Sequence, residues 1–221
     1  MQSFTNDGFD KVTLSERVYQ VLVDKIISGV IEPESRLREE HVAKEYNVSA
    51  TPVREAFKRL ASERFIELIP YQGAIVHGIN DEEITDVYRC RLALENLALE
   101  LAIDKFDDVT LQKIEDLINY SKITTNIFDI ATINRRFHNI IYNVANNRTL
   151  YKLIESLDNV LARDMKFSAS DTVRRNNIII EHSKILSALK NKDLKSAQEA
   201  MKEHIMNGKA YIEAKRKHYM P

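Results

Sequence analysis

The chain has almost no excess of charge: 32 Lys and Arg against 33 Asp and Glu leave a net of −1 over 221 residues. From Lys11 to His77 ten basic residues balance ten acidic ones. That excludes binding to nucleic acid through a bulk positive field, so any such binding must come from local placement. Cysteine occurs once, at Cys90, which excludes an intrachain disulfide. Between Tyr88 and Leu92 it reads as a small buried side chain rather than a nucleophile. No run of about 18 apolar residues occurs, so no helical membrane span is expected. Met1-Gln2-Ser3-Phe4 lacks the basic-then-apolar start of a secretion signal. A soluble, cytoplasmic protein is the expectation. Glycine and proline are few and uneven: Pro33, Pro52, Pro70 and every glycine except Gly208 lie before residue 79. The remainder, so poor in helix breakers, predicts an almost wholly helical segment.

What is present fills two blocks. Hydrophobic residues make up 44% of the chain, enough for a substantial core. Residues 1–12 read as a flexible arm. Thr13 and Glu16 have capping-box spacing, and a helix is predicted to about Ser28, where Gly29 stops it. A short helix follows at about 39–46, and Asn47 can take the left-handed conformation at the turn. In the next helix Val53, Ala56, Phe57 and Leu60 fall on one side, leaving Arg54, Glu55, Lys58 and Arg59 on the others. Pro52 suits its first turn, and Ser49 or Thr51 can cap it. Phe65–Ile69 and Ala74–Val76 then read as strands around Pro70-Tyr71-Gln72-Gly73, a two-stranded wing. Helix, turn, helix and wing together have the geometry of a DNA reader, or are a plain packing unit; the spacing alone leaves both open.

From Asp81 on, helices are predicted at about 81–104, 109–122, 127–145, 148–167, 172–190 and 193–216. They form an antiparallel bundle with room for an interior cavity. The fold class expected is mainly α: a winged helix-turn-helix at 13–78 and an all-α antiparallel helical bundle at 79–221. His138 stands one turn after Asn134 on the same face. His182 shares a face with Ile185, Leu186 and Leu189, and His204 with Ala197, Met201 and Ile205. All three histidines point inward. Such residues are either satisfied core histidines or, with an oxygen donor such as Asn134, a divalent-metal set of the imidazole-rich kind that suits zinc or nickel. Arg91 is open to two readings: a bidentate receptor for a carboxylate, or an ion pair with Glu95 one turn on. Tyr88, Tyr142 and Asn177 are further candidates to line the cavity.

The runs Leu37-Arg38-Glu39-Glu40-His41-Val42-Ala43 and Asn47-Val48-Ser49-Ala50-Thr51-Pro52-Val53-Arg54-Glu55-Ala56-Phe57 resemble the DNA-binding signature of GntR-family transcription regulators. Gln72-Gly73-Ala74 fits the family's wing. Arg91 with Glu95, Asn134-Arg135-Arg136-Phe137-His138, Asn146-Asn147, Glu181-His182 and His204 resemble the FCD effector domain of the FadR subfamily. The resemblance spans about residues 13–216. It implies a homodimeric, ligand-responsive repressor that binds double-stranded operator DNA and is released by a small carboxylate effector. On this pattern Ser49, Thr51, Arg54, Lys58, Arg59, Gln72 and Gly73 face DNA. Asn134, His138, His182 and His204 hold a divalent metal, zinc or nickel, and Arg91 meets the effector. Lys58 and Arg59 keep a second reading as structural salt bridges. Two positions depart from the pattern. Ala50 stands where relatives usually carry an arginine that contacts bases, and Asn134 stands where many carry aspartate.

A metal-dependent helical enzyme with an accessory winged domain is the alternative. Against it, the sequence has no paired histidines with a catalytic glutamate after the first, no phosphate loop and no nucleophile motif. A winged domain acting as a protein adaptor is the third possibility, and salt-dependent DNA binding separates it from the first.

Overall fold

The computed structural model describes residues 12–78, 80–124 and 127–219, with side chains other than those of 127–131, 163–170 and 217–219. Apart from Val12, the arm expected at 1–12 lies outside the described residues. The chain divides into two compact units, Met1–Ile79 with Asn159–Arg163, and Asn80–Asp158 with Asp164–Pro221.

In the first unit, helix α1 (Leu14–Ile27) begins where the Thr13 hydroxyl accepts the Glu16 N–H at 3.1 Å. It ends before Gly29, whose φ is 77°. Helix α2 (Glu39–Tyr46) stops at Asn47, which takes the left-handed conformation at φ 53°. Helix α3 (Ala50–Ser62) then buries Val53, Ala56, Phe57 and Leu60, the face the spacing predicted. They pack with Val18 and Leu22 of α1 into one apolar core. Four such side chains, each worth about 1.5–3 kcal/mol when fully buried (alanine less), fix α3 far more firmly than its intrinsic propensity does.

The wing differs from the two-stranded expectation. Strand β2 (Ile66–Ile69) pairs antiparallel with β3 (Gly73–Val76), and a third strand, β1 (Arg36–Leu37), joins the other edge of β3. Its register sets Arg36 opposite Ile75 and Leu37 opposite Ala74. Two residues are too few to show alternation in a sequence, so β1 has no local signature; β3 supplies its partner groups. Gly73, at φ 94°, is required by this closeness, because a Cβ there would stand 2.3 Å from the Leu37 carbonyl oxygen.

The second unit is helical: α4 (Asp81–Ala102), α5 (Asp108–Ile123), α6 (Ile127–Ala145), α7 (Arg148–Ser170), α8 (Thr172–Lys190) and α9 (Leu194–Tyr219). Helix α4 packs on α6 and α9, α5 on α6 and α8, and α8 on α9. The side-chain oxygens of Asn80, Asp107 and Asp171 accept the first free amides of α4, α5 and α8. Among the described residues no helix is long and apolar enough to cross a membrane. Cys90 is a correction: it is exposed, because the inward face of α4 runs through Ile84, Val87, Tyr88, Arg91, Glu95 and Ala98.

Candidate functional site

In the winged unit, Ser49 occupies the N-cap of α3, but neither it nor Thr51 supplies the expected capping bond. Ser49 and Thr51 are both exposed at the end of the helix where backbone N–H groups point outward. Arg54 is exposed one turn further on, with Nε and Nη2 each 3.1 Å from Glu39 Oε2. Lys58 follows on the same face, also exposed. Arg59 faces elsewhere. Its guanidinium lies 3.6 Å over the Tyr19 ring and pairs with Glu16 and Glu63. Burial and the hydrogen bond to Glu63 push the Tyr19 hydroxyl well above its ordinary range, so it stays a donor. Of the two readings held for Arg59, this network matches the structural one. At the wing tip Gln72 is exposed and accepts from Arg36 Nη1 at 3.3 Å.

In the helical unit, His138 from α6, His182 from α8 and His204 from α9 come together, all buried. One ring nitrogen from each lies within 4.8 Å of the others. The Nε2 atoms of His138 and His204 are 3.1 Å apart. Each of these rings has a carboxylate behind it: Glu181 Oε2 is 2.7 Å from His204 Nδ1, and Glu95 Oε2 is 3.4 Å from His138 Nδ1. A carboxylate only accepts, so both Nδ1 atoms carry hydrogen, and in a neutral ring Nε2 is then the atom whose lone pair faces the cluster. Phe137 stacks on His182 at 3.7 Å with the rings parallel to 1° and fixes its plane. Burial, together with the neighbouring His204 and His138, holds His182 well below the usual histidine range. Burial, His138 and Arg174 do the same for His204. Neutral imidazole is the form that binds a metal.

His182 Nε2 in the cluster has no hydrogen-bond partner, and neither has the buried Asn134 Oδ1 on α6. Asn134 stands one turn before His138 on α6. Orphaned buried acceptors are costly unless something fills the role. Three imidazole nitrogens fit a borderline divalent ion, and carboxylates behind two of the rings are the usual support for one.

Around the cluster runs a buried ionic network that sequence reasoning saw only in part. Arg91 pairs with Glu95 at 3.2 Å and with Asp158 of α7 at 3.1 Å. Tyr142 donates to Glu95 at 2.5 Å. Burial would raise the Glu95 carboxyl, but His138, Arg91 and Tyr142 bring it down to about 2. Arg174 pairs with Glu181 at 2.8 Å, and Asn207 donates to the same carboxylate at 2.8 Å. Asp158 and Arg174 were not anticipated. The Arg174 signal was present: it is in helical phase with Glu181 and Ile185, so a charge at that position lies on the buried stripe. Of the other cavity candidates, Tyr88 and Tyr142 are buried and Asn177 is exposed. A shallow recess lined by Arg135, Asn139, Tyr142, Tyr151, Glu155 and Asp158 adjoins the network.

Comparison with known proteins agrees with both halves. Residues 14–76 match the model described as bacterial regulatory proteins, gntR family, and residues 86–207 match the FCD domain. The gluconate operon transcriptional repressor of Bacillus licheniformis is 30% identical over 177 residues, covering 76% of this chain and 72% of the relative. The HTH-type transcriptional repressor RspR of Escherichia coli (strain K12) is 25% identical over 196 residues, covering 87% and 86%. The solved structure of E. coli McbR/YncC superposes with a TM-score of 0.77 at 24% identity, covering 92% of this chain and 99% of that one, a likeness of fold. These relatives are named for regulation of transcription and not for an enzymatic reaction. The chain therefore belongs to the GntR family of bacterial regulatory proteins, with an FCD domain following its winged helix, and is a DNA-binding transcription regulator.

Proposed function

We propose that the protein is a ligand-responsive repressor of the FadR type, working in the cytoplasm as a homodimer on a near-palindromic operator. The N-terminal end of α3 enters the major groove, with Ser49, Thr51 and Arg54 nearest the bases. Lys58 lies along the phosphates, and Gln72 and Gly73 of the wing lie at the minor groove. Arg54 exchanges Glu39 for DNA on binding. Arg59 holds α3 against α1 and so sets the angle at which the reader is presented. With Ala50 offering only a methyl group, no bidentate guanine contact comes from that position, and base discrimination leans on its neighbours.

In the helical unit Asn134, His138, His182 and His204 hold a divalent ion, zinc or nickel. When bound, it supplies a Lewis-acidic centre with positions open to the oxygens of a small carboxylate. Glu95 and Glu181 orient His138 and His204 for it, and Phe137 orients His182. Arg91, held between Glu95 and Asp158, favours an anionic guest after yielding Asp158 to solvent. The guest changes DNA affinity only if it binds better to one placement of the two winged units than to another. Helix α4, which follows the wing directly in sequence, carries that preference. The observation that carries this reading is the meeting of three buried imidazoles, with His182 Nε2 left without a hydrogen-bond partner.

The test uses the full chain. Its metal content is measured as purified. Its affinity for a duplex selected from a randomised pool is then followed by fluorescence anisotropy with zinc, with a chelator, and with a panel of small carboxylates. A carboxylate that weakens DNA binding only in the metal-loaded protein is the expected result. DNA affinity indifferent to metal and to every carboxylate would overturn the ligand-responsive part and leave the regulator in place.

A further inference from the structure

The wing tip contains a strain that no contact among the described residues of the winged unit explains. Tyr71 has φ of 63°, in the left-handed region where a bulky residue is disfavoured. The Gln72 N–H donates to the Ile69 carbonyl at 3.0 Å, which makes Tyr71 the third residue of a tight turn with positive φ, a position glycine or asparagine normally fills. Its ring is fully exposed, so the unfavourable backbone is not offset by burial. Strain retained at an exposed tip suggests a partner outside the chain.

Beside it the Gln72 amide has a defined orientation. Arg36 Nη1 lies 3.3 Å from Gln72 Oε1, and a guanidinium only donates. The amide oxygen is therefore the atom turned to Arg36, and the amide NH2 is left as a donor at the tip. In the minor groove A·T pairs of either orientation show only acceptors, whereas G·C adds the guanine amine, a donor. A braced donor amide complements the first and opposes the second. The Tyr71 ring, with its apolar body and polar tip, suits the sugar walls of the same groove.

We propose that the wing tip is a minor-groove reader with a preference for A·T flanks: Tyr71 seats against the groove wall while Gln72, braced by Arg36, donates to the base acceptors. This rests on the placement of the wing at the minor groove given above. It adds the residues that do the reading and the base pairs they favour.

The experiment uses the full chain and a duplex it selects from a randomised pool. The wing's base pairs are those whose hydroxyl-radical protection is lost in Tyr71→Gly. Changing them from A·T to G·C is expected to weaken binding about fivefold or more, and inosine·cytosine, which lacks the minor-groove amine, is expected to restore it. Tyr71→Gly is expected to leave the melting temperature unchanged or raise it, because it relieves the turn, while DNA affinity falls. Arg36→Met is expected to flatten the A·T preference. Inosine·cytosine behaving like G·C, or Tyr71→Gly binding as the parent does, would overturn the proposal. If protection at the flanks is absent even in the parent chain, the placement of the wing fails with it.

Discussion

His138 and His204 present their Nε2 atoms to each other at 3.1 Å, while their Nδ1 atoms are committed to Glu95 and Glu181. Two lone pairs at that distance repel unless a cation lies between them. On His204 a proton is a poor occupant, because burial, His138 and Arg174 disfavour charge there. A divalent ion relieves the repulsion and also gives His182 Nε2 something to bind.

Stripping the metal is accordingly expected to lower the melting temperature, and adding back zinc or nickel to restore it. At a free-metal concentration 100 times the Kd, mass action contributes about 2.7 kcal/mol. Calorimetry on dialysed, chelated and metal-loaded full chain reads this directly. Identical melting curves in all three would show that the cluster holds no ion.

In the proposed metal site the carboxylates behind the rings are expected to matter for affinity beyond their part in the fold. Glu181→Gln keeps the shape of the side chain but cannot serve the His204 Nδ1–H, the Arg174 guanidinium and the Asn207 amide as a carboxylate does. Metal affinity is expected to fall about 10- to 100-fold. A competition titration against a chromogenic chelator measures it, and circular dichroism checks that helix content is retained. A retained fold with parental affinity would contradict the supporting role.

On the proposed reading, with Asn134 as a ligand, the donor set is uncharged. Asn134→Asp adds a negative ligand at constant size, so tighter metal binding is expected, by about tenfold or more if one additional charge-assisted contact forms. Added acetate is expected to raise the metal affinity of the parent chain, and the same change is expected to weaken that gain, because the charge an anion would bring is already present. Both are read in one chelator titration with and without carboxylate. Unaltered metal affinity in Asn134→Asp would place residue 134 outside the ligand set.

The two units were legible to different depths. The buried face of α3 could be read from Val53, Ala56, Phe57 and Leu60 because helical periodicity is local. Asn47 and Gly29 marked their helix ends because their backbone preferences are local too. Strand β1 could not be read: Arg36 and Leu37 are a strand only because β3 lies beside them. The inward phase of His138, His182 and His204 was visible, but not that Nε2 of one would meet Nε2 of another, which depends on how α6 and α9 approach. Asp158 was invisible for the same reason, since its partner Arg91 is 67 positions away and on another helix. Cys90 was misread because α4 is rich in apolar residues on more than one side, so type alone did not tell the inward face from the outward one.

Lys58 and Arg59 are neighbours in sequence with different expected phenotypes. Lys58→Ala is expected to weaken DNA binding across sequences and to reduce the slope of log affinity against log salt by about 1, with the melting temperature unmoved. Arg59→Ala removes a cation over the Tyr19 ring and ion pairs to Glu16 and Glu63. It is expected to cost about 0.5–1 kcal/mol of stability and to leave the salt slope unchanged. Anisotropy titrations at several salt concentrations, paired with thermal melts, separate the two. Reversed phenotypes would put Arg59 on the phosphates.

Arg91 decides between a structural and a ligand-binding use of the buried network. It is 3% exposed and lies between Glu95 and Asp158. Burial alone would discourage its charge, but Asp158 and Glu95 hold the guanidinium protonated. Arg91→Met leaves both carboxylates without their counter-charge, and such a break in a buried pair costs about 3–5 kcal/mol. The double change with Asp158→Asn is expected to recover part of that loss, since one of the stranded charges is removed with it. Urea denaturation of the effector-free chain measures the cycle. If Arg91→Met keeps the parental midpoint and only the response to carboxylates disappears, the residue serves the guest, and the ion pairs with Glu95 and Asp158 contribute little to the fold.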